Sequence, residues 1–190
     1  LKPKVDKFVK TVYKCSSRAI EVSDSIMQYT YRGEDEKGAV DINGVVADMN
    51  NLTMKAINVS LDLAEDLPLV YGDKVHLNRV FMNIFNNAVQ ATSESGDIVL
   101  RTKKTNYIDS AGNQRDGVEI EISDTGVGMA EQQRRRVFDP LFSTKPDGHG
   151  LGLSIVKEII ERHEGVVRVE SVLNKGTSFF ICLPRCKSSC

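Results

Sequence analysis

A charge imbalance is the first thing this chain lacks. Its 25 lysines and arginines meet 26 aspartates and glutamates, a formal net charge of −1. No global basic field therefore argues for nucleic acid. Long apolar runs are also missing, and none approaches the roughly 20 residues a helix needs to span a bilayer. No secretory leader is visible. The four cysteines, Cys15, Cys182, Cys186 and Cys190, form no CxxC pair, and the last three have no histidine nearby. That spacing speaks against a zinc site and for reduced cytosolic thiols. No internal repeat or low-complexity run occurs. A Walker loop is excluded because GxxxxGK[ST] is absent. A Rossmann fingerprint is excluded because no strand leads straight into the glycine-rich stretch near residue 150.

What is present is 190 residues with 41% hydrophobic content, enough for one domain or one domain plus a helical appendage. The chain opens with Leu1-Lys2 rather than Met, so a fragment of something longer is expected. Residues 4–30 predict one long helix. Val5, Phe8, Val12, Cys15, Ala19, Val22, Ile26 and Tyr29 recur at alternating spacings of three and four, a heptad seam made imperfect by Cys15 and Ala19. Such a seam needs a partner helix or its own domain to cover it. The stretch YRGEDEKGAV (31–40) reads as a linker. Asp41 or Asn43 can cap a helix running to about residue 56. INVSLDL (57–63) alternates like a strand, and EDLPLVYGD reads as a turn-rich connector. Helical periodicity returns over Lys74–Thr92. Strands are expected at about 97–105 and 117–123, joined by the loop YIDSAGNQRDG. A short helix over Ala130–Val137 leads into a long loop, Phe138–Gly150. A helix over Leu151–His163 follows, with Gly165 in the place of a C′ glycine. VVRVESV and SFFICLP are strands around the turn LNKGT, and the tail from Arg185 reads as disordered.

Three constellations carry chemistry. On the helix Lys74–Thr92, Asn83 and Asn87 lie four apart and share a face, with Arg79 and Gln90 near it. Side-chain carbonyls suit Mg²⁺ and carboxamide NH₂ groups suit phosphate. Asparagine is a middling helix former, so NIFNNA is not chosen for propensity. On this helix alone, a merely solvated face competes with that reading. In EIEISDTGVGM (119–129) a strand ends at Asp124, followed by Gly126 and Gly128. A carboxylate there can accept from an exocyclic amine such as that of adenine, and the glycines let backbone approach a flat base. Asp-Thr-Gly also makes ordinary turns. Finally, Gly148, Gly150 and Gly152 open a helix near Leu151, whose free amides favour phosphate, with Lys145 as a mobile positive charge before them.

In this order, and closing on Gly176-Thr177, the set resembles the catalytic, ATP-binding domain of sensor histidine kinases, in the Bergerat-fold (GHKL) superfamily shared with gyrase and MutL. The resemblance covers roughly residues 41–184. NIFNNAVQAT resembles the asparagine box, DTGVGM the first glycine box, VFDPLFSTK the phenylalanine box, and GHGLGLSI the second glycine box. The form FDPLFSTKPDGHGLGL is closest to the nitrogen-regulator type.

The resemblance implies an α+β fold: a two-layer sandwich of a mixed sheet with helices on one face, preceded here by the heptad helix. It implies that Asn87 coordinates Mg²⁺ and Asn83 lies beside the phosphates and metal. Asp124 reads the adenine amine, Gly126 and Gly128 make room for the base, and Thr177 supports it. Phe138 to Gly150 form a lid carrying Lys145, and Gly148, His149, Gly150, Leu151 and Gly152 face the phosphates. Asn83 and Lys145 are the residues implied in catalysis. Many relatives have a basic residue where Gln90 stands, so one phosphate contact is expected to be lost or moved to Lys145. Position 149 is often small and polar, so His149 is unusual and reads as a lid residue rather than a phosphate acceptor. Hydrolysing members place a glutamate base where Asn83 stands, and an amide cannot take a proton from water.

His76, His149 and His163 each lack the acceptor motif of the family, and His163 reads as a helix-end cation suited to the dipole. The implied arrangement is therefore 1–30 as the second helix of an acceptor hairpin, 31–40 linker, 41–185 catalytic domain and 186–190 tail. The acceptor histidine would lie outside this chain. ATP, Mg²⁺, a response regulator and a second copy in the full-length protein are the implied partners, and the cytoplasm the implied location. A Bergerat-fold serine/threonine kinase and a nucleotide-gated interaction module without transfer remain as alternatives.

Overall fold

The computed structural model describes residues 37–50, 57–92, 96–145 and 150–186. The expected heptad helix, most of the expected linker, Gly148, His149 and the tail 187–190 lie outside the described residues. The elements run β1 (Gly38–Val40), α1 (Ile42–Asn50), β2 (Asn58–Leu63), β3 (Val70–Gly72), α2 (Lys74–Ala91), β4 (Asp97–Ile108), β5 (Gln114–Asp124), α3 (Glu131–Arg134), α4 (Gly152–Arg162), β6 (Val166–Val172) and β7 (Gly176–Pro184). Five strands form one mixed sheet in the order β2-β4-β5-β7-β6, with β2 parallel to β4 and the other pairs antiparallel.

Strand alternation decides which face is buried. Ile98 and Leu100 of β4, Val118, Ile120 and Ile122 of β5, and Phe179, Ile181 and Leu183 of β7 are all buried. They meet the apolar stripe of α2 (Leu77, Val80, Phe81, Ile84, Phe85, Ala88) and that of α4 (Ile155, Val156, Ile159, Ile160). Ile42, Val45, Val46 and Met49 of α1 complete the core. The other face carries ion pairs, among them Arg101 with Asp62 and Glu121 and Lys103 with Glu119, while Arg168 lies 3.6 Å over the Phe180 ring. That face meets water, and the α+β two-layer expectation holds.

The differences are local. Gly38–Val40 and Val70–Gly72 pair as a small antiparallel ribbon, although the first falls in the expected linker and the second in the expected connector. Three-residue strands are too short to show alternation. β4 and β5 extend further than expected, to a loop of only 109–113. Asp109 closes it by accepting from the Ala111 and Asn113 amides, and the Arg115 guanidinium beside it holds its carboxyl down at about 2. The C′ position after α4 is Glu164 (φ 56), not Gly165. Gly165 is C″, its N–H reaching the Ile160 carbonyl at 2.9 Å. Arg185 and Cys186 are held by Asp116 and Leu69 carbonyls, contrary to a disordered tail from Arg185. Cys182 is free and buried, whereas Cys186 is disulfide-bonded, a departure from the expected reduced thiols.

Candidate functional site

The asparagine-bearing helix α2 starts where expected. Asp73 caps it, its Oδ1 accepting from the Val75 and His76 amides at 2.8 and 3.0 Å. With the apolar stripe facing the sheet, Asn83, Asn87 and Gln90 fall on the outward side, the first two half-buried and the last exposed. The Asn83 amide donates to the Arg79 carbonyl at 3.1 Å. Its Oδ1 lies only 3.1 Å from where a Cβ on Gly152 would stand, so the first residue of α4 abuts Asn83.

At the opposite end of the site, Asp124 closes β5, in register with Ile98 of β4 and Thr177 of β7. Its carboxylate is buried, and Oδ1 accepts from the Gly126 amide at 2.8 Å. Burial pushes the carboxyl upward, while hydrogen bonds from the Gly126 and Thr177 backbone pull it down; burial wins. A Cβ on Gly126 would stand 2.5 Å from the Ala91 carbonyl oxygen, so this turn lies tight against the end of α2. Gly128 has φ +61, and a Cβ there would meet the Val172 carbonyl at 2.1 Å. The room these glycines provide is thus used at least in part by the protein's own backbone. The two asparagines and Asp124 are joined through α2 itself, since the Val127 amide donates to the Ala91 carbonyl at 3.2 Å.

Residues 138–145 and Gly150 supply the third side. Phe138 packs edge-on to Phe179 at 6.3 Å, and the Arg136 guanidinium lies 4.6 Å over the Phe142 ring. The Leu141 amide bonds the Gly150 carbonyl at 3.0 Å, pinning the base of the loop. Lys145 reaches back from it: Nζ donates to Asn87 Oδ1 at 2.8 Å and to Gln90 Oε1 at 2.6 Å. Drawn partly out of water against α2, the ammonium has its pKa lowered by desolvation. The N-cap of α4 is Leu151, which offers no side-chain cap. The first-turn amides of α4 therefore meet no capping side chain at Leu151.

Of the expected site residues, Asn83, Asn87, Lys145 and Gly152 are thus brought to one side of α2, and Asp124, Gly126, Gly128 and Thr177 to the end of β5. Two contributors carried no sequence signal. Ser171 Oγ accepts from the Met129 amide at 2.8 Å, donates to the Gly176 carbonyl at 3.0 Å and lies 3.0 Å from Thr177 Oγ1. It laces the first glycine box to the closing Gly-Thr strand. His163 is buried and neutral, not a helix-end cation: Nε2 accepts from the Asp73 amide at 3.0 Å, and Nδ1 lies 2.8 Å from the Ile159 carbonyl. Desolvation lowers its pKa. A serine in a strand or a histidine at a helix end reveals such a contact only when the chain is folded.

Among the described residues, no group of three or more His, Cys, Asp or Glu side chains could hold a metal. A divalent ion here would rest on a side-chain carbonyl and on a ligand's own oxygens, the usual mode for Mg²⁺ with nucleotide phosphates. Asn87 Oδ1 fits that role as a neutral, half-buried side-chain oxygen on the outward face of α2, where an ion would take the place of the Lys145 ammonium. No helix among the described residues is long and apolar enough to cross a membrane.

The profile described as "Histidine kinase-, DNA gyrase B-, and HSP90-like ATPase" matches residues 72–187. Sporulation kinase E of Bacillus subtilis is 35% identical over 148 residues, covering 78% of this chain and 18% of that protein. Sensor histidine kinase ZraS of Salmonella typhi is 34% identical over 151 residues, covering 77% of this chain and 31% of that protein. The chain thus spans less than a third of the length of these relatives. Among solved structures, the catalytic domain of histidine kinase ThkA is similar with a TM-score of 0.66 and 27% identity, over 79% of this chain and 96% of that one. Full-length ShkA in complex with AMPPNP shares the fold, with a TM-score of 0.77 over 97% of this chain and 39% of that one, at 24% identity.

Proposed function

The chain belongs to the histidine kinase-, DNA gyrase B- and HSP90-like ATPase family, and from that premise we propose that it is the ATP-binding catalytic part of a two-component sensor histidine kinase. It would transfer the γ-phosphoryl of ATP to a histidine outside residues 1–190, from which a response-regulator aspartate receives it. The observation that carries this reading is the Lys145 ammonium seated on Asn87 and Gln90. It joins the loop to the asparagine face and sets a positive charge beside the two carboxamide oxygens.

In this reading Asp124 accepts from the adenine amine and Thr177 supports it. Asn83 and the amides at Gly150, Leu151 and Gly152 face the phosphates, and Gly148 and His149 belong to the same loop. Asn87 would hold Mg²⁺, which when bound would supply positive charge to offset that of the phosphates during transfer. Asn83 cannot remove a proton from water, so ATP is held for a protein acceptor rather than hydrolysed quickly. Lys145 stabilises the transferring group. Residues 41–185 form the catalytic domain, 31–40 join it to a dimerisation helix within 1–30, and the parent protein works as a cytoplasmically facing homodimer.

Incubating the chain with a separately made acceptor hairpin and labelled ATP tests the reading. Acid-labile label on histidine is expected. Acid-stable label on serine or threonine would make it a serine/threonine kinase, and ATP binding without transfer would leave a nucleotide-gated module. Asn87→Ala is expected to abolish the Mg²⁺ dependence of ATP binding, measured by titration with and without chelator. Retained dependence would move the metal elsewhere.

A further inference from the structure

Gln90 is an exposed residue on the last turn of α2, where a solvated polar side chain would need no explanation. Its Oε1 nevertheless receives the shortest hydrogen bond from the Lys145 ammonium, 2.6 Å against 2.8 Å from Asn87 Oδ1. Asn87 and Gln90 are i and i+3 neighbours on one helical face, so their two carbonyls form a ready-made fork. An ammonium has three N–H donors. Gln90 and Asn87 engage two of them, and when Asn87 turns to a metal ion the bond to Gln90 still holds the lysine with donors left for an incoming anion.

The chemistry of the fork is selective. A carboxylate at position 90 would bind the ammonium as an ion pair and cancel the charge a phosphate needs. A basic side chain would offer no acceptor and would repel Lys145. A neutral carbonyl holds the lysine and leaves its charge intact. The loop that carries Lys145 is itself braced, with Ser143 Oγ accepting from the Lys145 amide at 3.1 Å and the Leu141 amide on the Gly150 carbonyl. The ammonium thus sits between the braced residues 141–145 and α2.

We propose that Gln90 is a positioning residue for phosphate recognition: its neutral carbonyl docks Lys145 beside Asn87, so that the cation at the phosphate end of the site is delivered by the loop and not by the helix. The proposal rests on the nucleotide-binding reading above. It also explains why the helix can dispense with a basic side chain of its own at position 90.

Relocating the charge tests it. ATP and adenosine binding are measured by calorimetry for the wild type, Lys145→Ala, Gln90→Lys and the double variant Q90K/K145A. Removing one charge-assisted contact makes Lys145→Ala weaken ATP binding about tenfold or more. Gln90→Lys alone is expected to weaken it too, because the docking carbonyl is lost and two cations crowd one site. The double variant is expected to bind ATP better than either single variant, within about threefold of wild type, a non-additivity that only a shared interaction produces. Adenosine binding should be the same in all four, which a merely structural role for Gln90 would not give. Additive losses in the double variant, or equal losses for ATP and adenosine, would overturn the proposal while leaving the nucleotide site standing. A wild type that binds neither ligand would instead overturn the nucleotide reading, and the proposal with it.

Discussion

Asp124→Asn is expected to weaken ATP binding by about 1–3 kcal/mol, roughly five- to 150-fold, while the fold stays as stable as the wild type or gains slightly. The two halves of that expectation come from one fact: the carboxylate is buried. Burial raises its pKa, so the folded chain holds a charge in a place that disfavours it. The charge is an acceptor without a proton of its own, which is what an exocyclic amine requires. Asparagine fits the same space and can keep its Oδ1 on the Gly126 amide. It then presents NH₂ where the adenine offers NH₂, and two donors face each other. Relief of the desolvation offsets any weakening of the bonds from the Gly126 and Thr177 backbone, so the stability measured in urea should not fall. Calorimetry with ATP and a urea melt on the same preparation check both halves. An unchanged dissociation constant would remove Asp124 from the adenine site. A large loss of stability would mean that its hydrogen bonds within the protein, and not the base, are its purpose.

The contrast between Asp124 and the residues around it shows where sequence reading reaches. Asp124, Asn83 and Asn87 stood out as candidates through the order of the motifs around them, since singly an ordinary turn and a solvated helix face explain them as well. The elements α2, α4 and the long strands were legible from their periods of 3.6 or 2, whereas the α+β two-layer architecture came with the family resemblance. The ribbon of β1 and β3 was not legible, since three residues cannot display a period. Ser171 was invisible because its partners, Met129, Gly176 and Thr177, come together only when β6 and β7 pair. Gln90 looked like a departure from the family pattern at a phosphate contact. Only the reach of Lys145, 55 residues away, turns it into a partner. Local signals fix elements and candidate groups; non-local contacts decide which candidates act together.

His163 shows the same division, and it carries the second large effect. At neutral pH its neutral ring joins the end of α4 to the cap of α2. The Asp73 amide donates to Nε2, so the ring proton sits on Nδ1 and faces the Ile159 carbonyl. Asp73 in turn caps the helix that bears Asn83 and Asn87. His163→Leu leaves the buried Asp73 amide without its acceptor, and about 1–3 kcal/mol of stability should go with it. The pH dependence separates this from a simple packing loss. Desolvation is the largest influence on the ring, with Lys37 and His76 also lowering its pKa, and the Ile159 carbonyl and Asp73 opposing them. The folded pKa therefore lies below the unfolded value of about 6.5. In the window between them the unfolded chain binds more protons, so stability rises with pH. The contribution is complete above about pH 6.5 and is lost as pH falls from there through the folded pKa. Urea midpoints measured from pH 7.5 down to pH 5 should fall more steeply for the wild type than for His163→Leu, the two curves converging in acid. Parallel curves would show that the ring is not held neutral, and that the cap of α2 does not depend on it.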